Sequence, residues 1–321
     1  MSTGAQAVVD AGGEELTRIM DRVERRMAEL ATGHGPVLGR HAGDTISAGG
    51  KRLRPLLVCI AAGAPPPETN GLVRAAVAVE LVHGATLVHD DVLDGSALRR
   101  GRPTVVATGG RASAIATGDL LFSRAFAELA AGGSVDAVRI LSRASRELAL
   151  GELTQREDAW SAEVTVRRYL ARCRLKTGVL FRAACELGAL EGDREPDALG
   201  AFGDRIGLAF QILDDVLDVS GPPERTGKPR GADLLDGTVN LPLILARARD
   251  PELAALDLRS VRTPEDAAAV CERITATGVL GTATSRAREL VADAKLELPD
   301  IPARQRAALE LAADVMVERF A

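Results

Sequence analysis

The chain predicts an all-α fold, and two observations carry that prediction. Apolar residues recur at helical spacing through most of the 321 residues, and no long run alternates with the period of two that strands need. Aromatic residues are only 2% of the chain, so alanine, leucine and valine must build the core, a composition suited to closely packed helices. No Gly/Ser-rich or Pro-rich linker divides the sequence, so one helical domain is expected over residues 14–321. The net charge of −5 argues against an extended nucleic-acid surface.

Residues 1–13 are small and polar with a Gly pair, and are expected to be a disordered tail. Glu14–Thr32 and Val37–Ala48 have amphipathic spacing, the second ending at Gly49-Gly50. Leu53–Gly63 runs into the break at Pro65–Pro67. Gly71–Leu93 is long and mostly apolar. Its longest apolar stretch, Ala75–Val88, is interrupted by Glu80 and His83 and is too short to span a bilayer. Gly95–Gly110, rich in Gly and Arg, reads as a loop. Ala112–Ala131, Val135–Arg156, Thr165–Leu190 and Pro196–Val219 read as helices. Gly221–Thr238, with three Pro and four Gly, is the longest irregular segment and has the profile of a lid. Leu241–Arg249, Pro264–Thr277, Leu280–Leu296 and Ala303–Phe320 complete the helices. The four cysteines lack metal-ligand spacing and read as reduced, mostly buried thiols of a cytoplasmic protein. No basic segment followed by an apolar one opens the chain, so no signal peptide is expected.

The pentapeptide Asp-Asp-Val-Leu-Asp occurs twice, at Asp90–Asp94 and Asp214–Asp218, each time after an apolar helical run. Asp90 and Asp94 share a helix face, as do Asp214 and Asp218, four residues apart. Like charges at that spacing destabilise an isolated helix by roughly 0.2–0.5 kcal/mol per pair. Two solvated acidic helix ends would not explain identical copies in apolar surroundings. Facing carboxylate clusters would hold a hard divalent cation, and Mg²⁺ suits that role when a substrate phosphate supplies further ligands.

Only four of the forty basic residues are lysines. A lysine that persists against that bias marks a place for a compact point charge. Lys51 lies in Gly-Gly-Lys-Arg-Leu-Arg-Pro, residues 49–55, an anion site in which Arg54 adds a planar fork. His83 stands seven residues before Asp90, on the same face. Arg99 and Arg100 follow the first cluster and suit the far side of a phosphate. Gln211 offers an amide one turn before Asp214, and Lys228 lies in the lid-like segment. Lys176-Thr177 is unremarkable by itself.

With these motifs the chain resembles the trans-isoprenyl diphosphate synthases, or polyprenyl synthetases. The resemblance rests on the Gly49–Pro55 block, both Asp-rich motifs with Arg99-Arg100 and Phe210-Gln211, Lys176-Thr177 and Gly227-Lys228-Pro229. It implies an all-α bundle around a central cavity, a homodimer, and head-to-tail addition of isopentenyl diphosphate to an allylic diphosphate. It further implies that Asp90, Asp94 and Asp214 are Mg²⁺ ligands, with Asp91 and Asp218 supporting through water. Lys51, Arg54, His83 and Arg100 would take isopentenyl diphosphate. Arg99, Lys176, Thr177, Gln211 and Lys228 would take the allylic diphosphate. Asp90, Asp94, Asp214, Lys176 and Arg99 would carry the catalytic charge.

One departure stands out. The family usually has Gly-Lys-x-Thr before the Leu-Pro that follows the lid, and this chain has Thr238 and Asn240 at the Lys and Thr positions. The residues before the first cluster line the path of a growing chain in this family. Val82, Ala85 and Thr86 are all non-aromatic, so no short-product floor is expected. The expectation is a product of C25 or longer, with C20 geranylgeranyl diphosphate next. A terpene cyclase would usually lack Lys51, Arg54 and Arg100 at these positions. A non-catalytic subunit of a heteromeric synthase would typically lose the Asp clusters.

Overall fold

The computed structural model describes residues 3–30, 35–47, 52–63, 70–99, 101–221 and 229–318. The described chain is helical apart from one short ribbon, as the spacing predicts. Its contacts fall into two compact units, each assembled from segments far apart in sequence. The first comprises residues 1–145, 180–203 and 297–315, and the second 146–179, 204–296 and 316–321.

The first unit is built on α4 (Asn70–Leu93), which packs along α5 (Val105–Ala131) and also meets α1 (Thr3–Leu30), α2 (Gly35–Ser47) and α3 (Leu53–Ala61). Ala75 through Val79, Leu81, Val82, Ala85 and Val88 are buried, so α4 is apolar all round because it is surrounded. As formed it is longer than its apolar core stretch, and among the described residues it alone is long and apolar enough to cross a membrane. Two thirds of that apolar window (67%) is buried within the protein, which accounts for its composition. The N-terminus differs from expectation. Thr3–Leu30 is helical with a kink at Gly13 (φ 78°), so no disordered tail extends to residue 13. Val8 and Val9 are fully buried, and Arg304 donates to the Gly12 carbonyl at 2.6 Å. Burial of two valines that no periodic run announced supplies the order.

Two further departures have local causes. The segment expected as a loop over 95–110 contains an antiparallel ribbon pairing Leu98 with Pro103 and Arg99 with Arg102, turning at Gly101 (φ 73°). The helix that follows starts at Val105, because the Thr104 hydroxyl caps it by accepting from the Ala107 amide. Gly110 (φ 75°) kinks the junction where a later start was expected. The single helix expected over 165–190 is α7 (Val166–Cys173), a π-helical turn at Arg174–Gly178, and α8 (Val179–Glu191).

The first unit also contains the start of α6 (Val135–Asp158), most of α8, the start of α9 (Pro196–Ser220), and α15 (Ala303–Glu318). Gln305 on α15 donates from Nε2 to the carbonyls of Ile60 and Ala61, at 3.1 and 2.8 Å. It thereby satisfies last-turn acceptors of α3. In the second unit, α10 (Ala232–Leu235), α11 (Leu241–Arg247), α12 (Pro251–Ala255), α13 (Pro264–Ala276) and α14 (Val279–Leu296) follow α9. Helix α11 is central there, meeting α7, α12, α13 and α14, with Leu241, Leu243 and Ala246 fully buried. α12 lies where no helix was expected, started by Asp250, whose side chain accepts from the amides of Glu252 and Leu253. All four cysteines are buried and free.

Candidate active site

In the first unit the acidic motif ends α4. Asp90 and Asp94 are half-buried, whereas Asp91 is buried and accepts from Arg99 Nε at 2.8 Å. The ribbon after α4 brings Arg99 back onto the cluster, so a basic residue just past the motif neutralises its inward carboxylate. Arg100 lies outside the described residues, as do Lys51 and Lys228. Arg54 opens α3, with its guanidinium over the Phe181 ring at 4.6 Å. That contact steadies a cation against an apolar face. His83 is half-buried two turns before Asp90. Val82 and Ala85 are fully buried on α4, and the Thr86 hydroxyl donates to the His83 carbonyl at 2.8 Å.

Arg52 has a role that sequence reasoning missed. It adopts φ 50° just before α3, is 8% exposed, and bonds Glu24, Glu80 and the Ile46 carbonyl. Burial lowers its pKa, but the two carboxylates outweigh that and raise it overall. It ties the residue after Lys51 to α1, α2 and α4.

In the second unit, α9 presents Asp214 outward, Asp215 inward and Asp218 half-buried. Asp215 accepts from Tyr169 Oη at 2.7 Å and from Gln211 Nε2 at 2.8 Å. Gln211 Oε1 accepts from the Thr177 hydroxyl at 2.6 Å. Asp218 Oδ2 accepts from the Asp233 amide at 3.4 Å. Burial first, then the nearby Asp233 charge, pushes Asp215 up to about 8 and Asp218 up to about 9. Lys176 pairs with Glu152 at 2.8 Å. Burial works to raise the Glu152 carboxyl, but Lys176 and Arg156 outweigh it and hold its pKa below the usual value.

The departure at 238 and 240 now has a local account. Asn240 caps α11 by accepting from the Leu243 amide, and its Nδ2 reaches Asp233 at 3.4 Å. Thr and Asn are both good caps, so this exchange preserves the helix start. Thr238 lines a small space with Leu234, Leu243, Leu258 and Val261, an apolar setting for a position where the family has a cation. Sequence reasoning also passed over Tyr169 and Asp233. Tyr169 had a signal: it is the chain's only tyrosine, seven residues and two helical turns before Lys176. Asp233 had none, since its segment carries no periodicity.

A polyprenyl synthetase family model matches residues 36–276. The chain is 41% identical to heptaprenyl diphosphate synthase component 2 of Geobacillus stearothermophilus over 246 residues, 76% of each protein. It is 36% identical to octaprenyl diphosphate synthase of Escherichia coli (strain K12) over 270 residues, 81% of this chain and 84% of that one. A polyprenyl synthase from Caulobacter crescentus CB15, solved with calcium and isoprenyl diphosphate, superposes with a TM-score of 0.89. It is 36% identical, over 99% of this chain and 98% of that one. These likenesses define an all-helical enzyme that transfers prenyl groups. The chain belongs to the polyprenyl synthetase family.

A divalent metal is part of the chemistry of this family. No three acidic, His or Cys side chains among the described residues form a ready-made cage. Magnesium does not require one, because it is commonly held by one or two carboxylates plus substrate phosphates. The donor set fits: the half-buried carboxylates of Asp90 and Asp94 line the end of α4, and the Asp214 carboxylate is exposed on α9, all hard oxygen donors.

Proposed function

We propose that this enzyme condenses isopentenyl diphosphate with an allylic diphosphate to give a trans-polyprenyl diphosphate of C25 or longer, releasing pyrophosphate. The observation that carries the reading is the pair of identical Asp-rich motifs, each ending an apolar helical run, in a chain that belongs to this family. Asp90, Asp94 and Asp214 hold Mg²⁺. When bound, the ion neutralises charge that develops on the leaving pyrophosphate. Arg99, Lys176 and Lys228 add positive charge for the allylic diphosphate, an electrostatic stabilisation of the charge that develops on it. Lys51, Arg54, His83 and Arg100 hold isopentenyl diphosphate.

The chemistry asks little else of the chain. The allylic C–O bond breaks and pyrophosphate leaves with the electron pair. The isopentenyl double bond supplies the pair for the new C–C bond, and the resulting cation loses a proton to a pyrophosphate oxygen. No protein base is required. Val82, Ala85 and Thr86 leave the route past the first cluster without an aromatic floor, which supports a long product. The names of the Geobacillus and Escherichia relatives agree with such a length. Geranylgeranyl diphosphate is the second reading for the product. The protein acts in the cytoplasm as a homodimer.

A second reading of the assembly follows from the word "component" in the Geobacillus relative's name, which fits a chain that works with an unlike partner. The test is a product assay with purified protein, Mg²⁺, labelled isopentenyl diphosphate and allylic primers from C5 to C20. Products longer than C20 are expected. No elongation by this chain alone would favour the unlike partner, and cyclised hydrocarbon would overturn the reaction. Thr86→Phe or Ala85→Phe is expected to shorten the products, and an unchanged length distribution would remove the floor argument.

A further inference from the structure

Four side chains of the second unit form one continuous hydrogen-bonded line: Thr177 to Gln211, Gln211 to Asp215, and Tyr169 to Asp215. Tyr169 is 0% exposed and Thr177 is 7% exposed. Each oxygen of the buried Asp215 accepts from one of two donors, Tyr169 and Gln211. The Thr177 proton is directed at Gln211 Oε1. The line starts at Tyr169 in α7, before a π-helical turn, and ends at Thr177 within that turn, next to Lys176. Such turns are strained insertions that recur at functional sites. Here α6 comes so close that a Cβ on Gly151 would lie 2.7 Å from the Lys176 amide nitrogen.

We infer that Tyr169, Asp215, Gln211 and Thr177 are positioning residues forming a strap that clamps the π-turn to α9 and sets Lys176 in register with Asp214. One anchor is two turns before Lys176 and the other directly after it. With both anchors made, the extra residue of the π-turn has no freedom to relax into a regular helix, which would rotate Lys176 about the axis by roughly one residue's turn. Asp215 is therefore an anchor and not a metal ligand, although it belongs to the acidic motif. Thr177 and Gln211 act through Lys176 instead of binding the allylic diphosphate themselves. The inference rests on the proposed reaction for its substrate.

The test is a double-mutant cycle with Tyr169→Phe and Thr177→Val, two near-isosteric changes that each remove one hydroxyl. Two quantities are read: KM against kcat for the allylic diphosphate, and the Kd of inorganic pyrophosphate with Mg²⁺ by calorimetry. Each single variant is expected to raise both KM and Kd about fivefold, the net worth of an ordinary hydrogen bond. The double variant is expected to be no worse than either, and Thr177→Ser to restore the wild-type values. Additive losses would overturn the inference, since Thr177 would then contact the ligand independently. Lower melting temperatures for Tyr169→Phe with unmoved KM and Kd would also overturn it. If wild-type protein binds pyrophosphate but turns an allylic primer into cyclised hydrocarbon, the proposed reaction fails, and the calorimetric cycle still decides the strap.

Discussion

At the residue scale, Asp218 is a carboxyl in surroundings that disfavour its charge. An unfolded Asp titrates near about 4, whereas burial, Asp233 and Asp215 push folded Asp218 up to about 9. The folded state thus binds the proton more tightly. The stability this contributes is whole below the unfolded pKa and is lost as pH rises through the folded one. Metal-free protein is expected to melt lower at pH 9 than at pH 6 in scanning calorimetry, and Asp218→Asn to flatten that slope. An unchanged slope would refute the electrostatic account. Arg52 presents the opposite case, a buried cation with Glu80 buried beside it and Glu24 half exposed. Arg52→Ala leaves Glu80 uncompensated and is expected to cost about 3 kcal/mol in denaturant unfolding. Glu24→Ala should cost less than about 1 kcal/mol, because that partner faces solvent. The sequence marked residues 49–55 as an anion site but gave no sign that the first arginine of the block points inward. Two carboxylates distant in sequence, Glu24 and Glu80, together with the Ile46 carbonyl, decide that.

At the scale of elements, starts and close approaches fix what periodicity leaves open. Asn240 begins α11, so Asn240→Ala is expected to cost about 1 kcal/mol or somewhat more, and Asn240→Thr little, by thermal or chemical unfolding. Equal losses from both would mean that the Asn240 contact with Asp233 outweighs the cap. Gly188 on α8 marks a close helix crossing: a Cβ there would lie 2.2 Å from the Val58 carbonyl oxygen of α3. Backbone cannot yield as a flexible side chain can. Gly188→Ala is expected to destabilise by about 1–3 kcal/mol, as overpacking does, and a neutral result would show that α3 can move aside. The long apolar and amphipathic helices were legible because one apolar face repeats over many turns. The π-turn was not, since one inserted residue leaves almost no trace in a periodic pattern. The ribbon at Leu98–Pro103 was equally hidden, with two residues per strand too short for any alternation to show.

At the scale of the whole molecule, the first unit gathers residues from opposite ends of the chain, as Gln305 on Ile60 and Ala61 illustrates. Purified alone, the protein is expected to give a light-scattering mass of twice 33.6 kDa. A monomer that becomes active only on adding another polypeptide would support the heteromeric reading. The sequence by itself determined the helical class and the family. Those properties follow from local periodicity and from motifs whose spacing survives without a fold. Tertiary structure alone decided that Asp91 turns to Arg99, that Asp215 turns inward to Tyr169, and that Asn240 serves as a helix cap. Identical pentapeptides cannot differ in local preference. Their carboxylates differ here in burial and partners because each folded environment brings different donors from elsewhere in the chain, and a buried charge adopts the orientation in which those donors meet it.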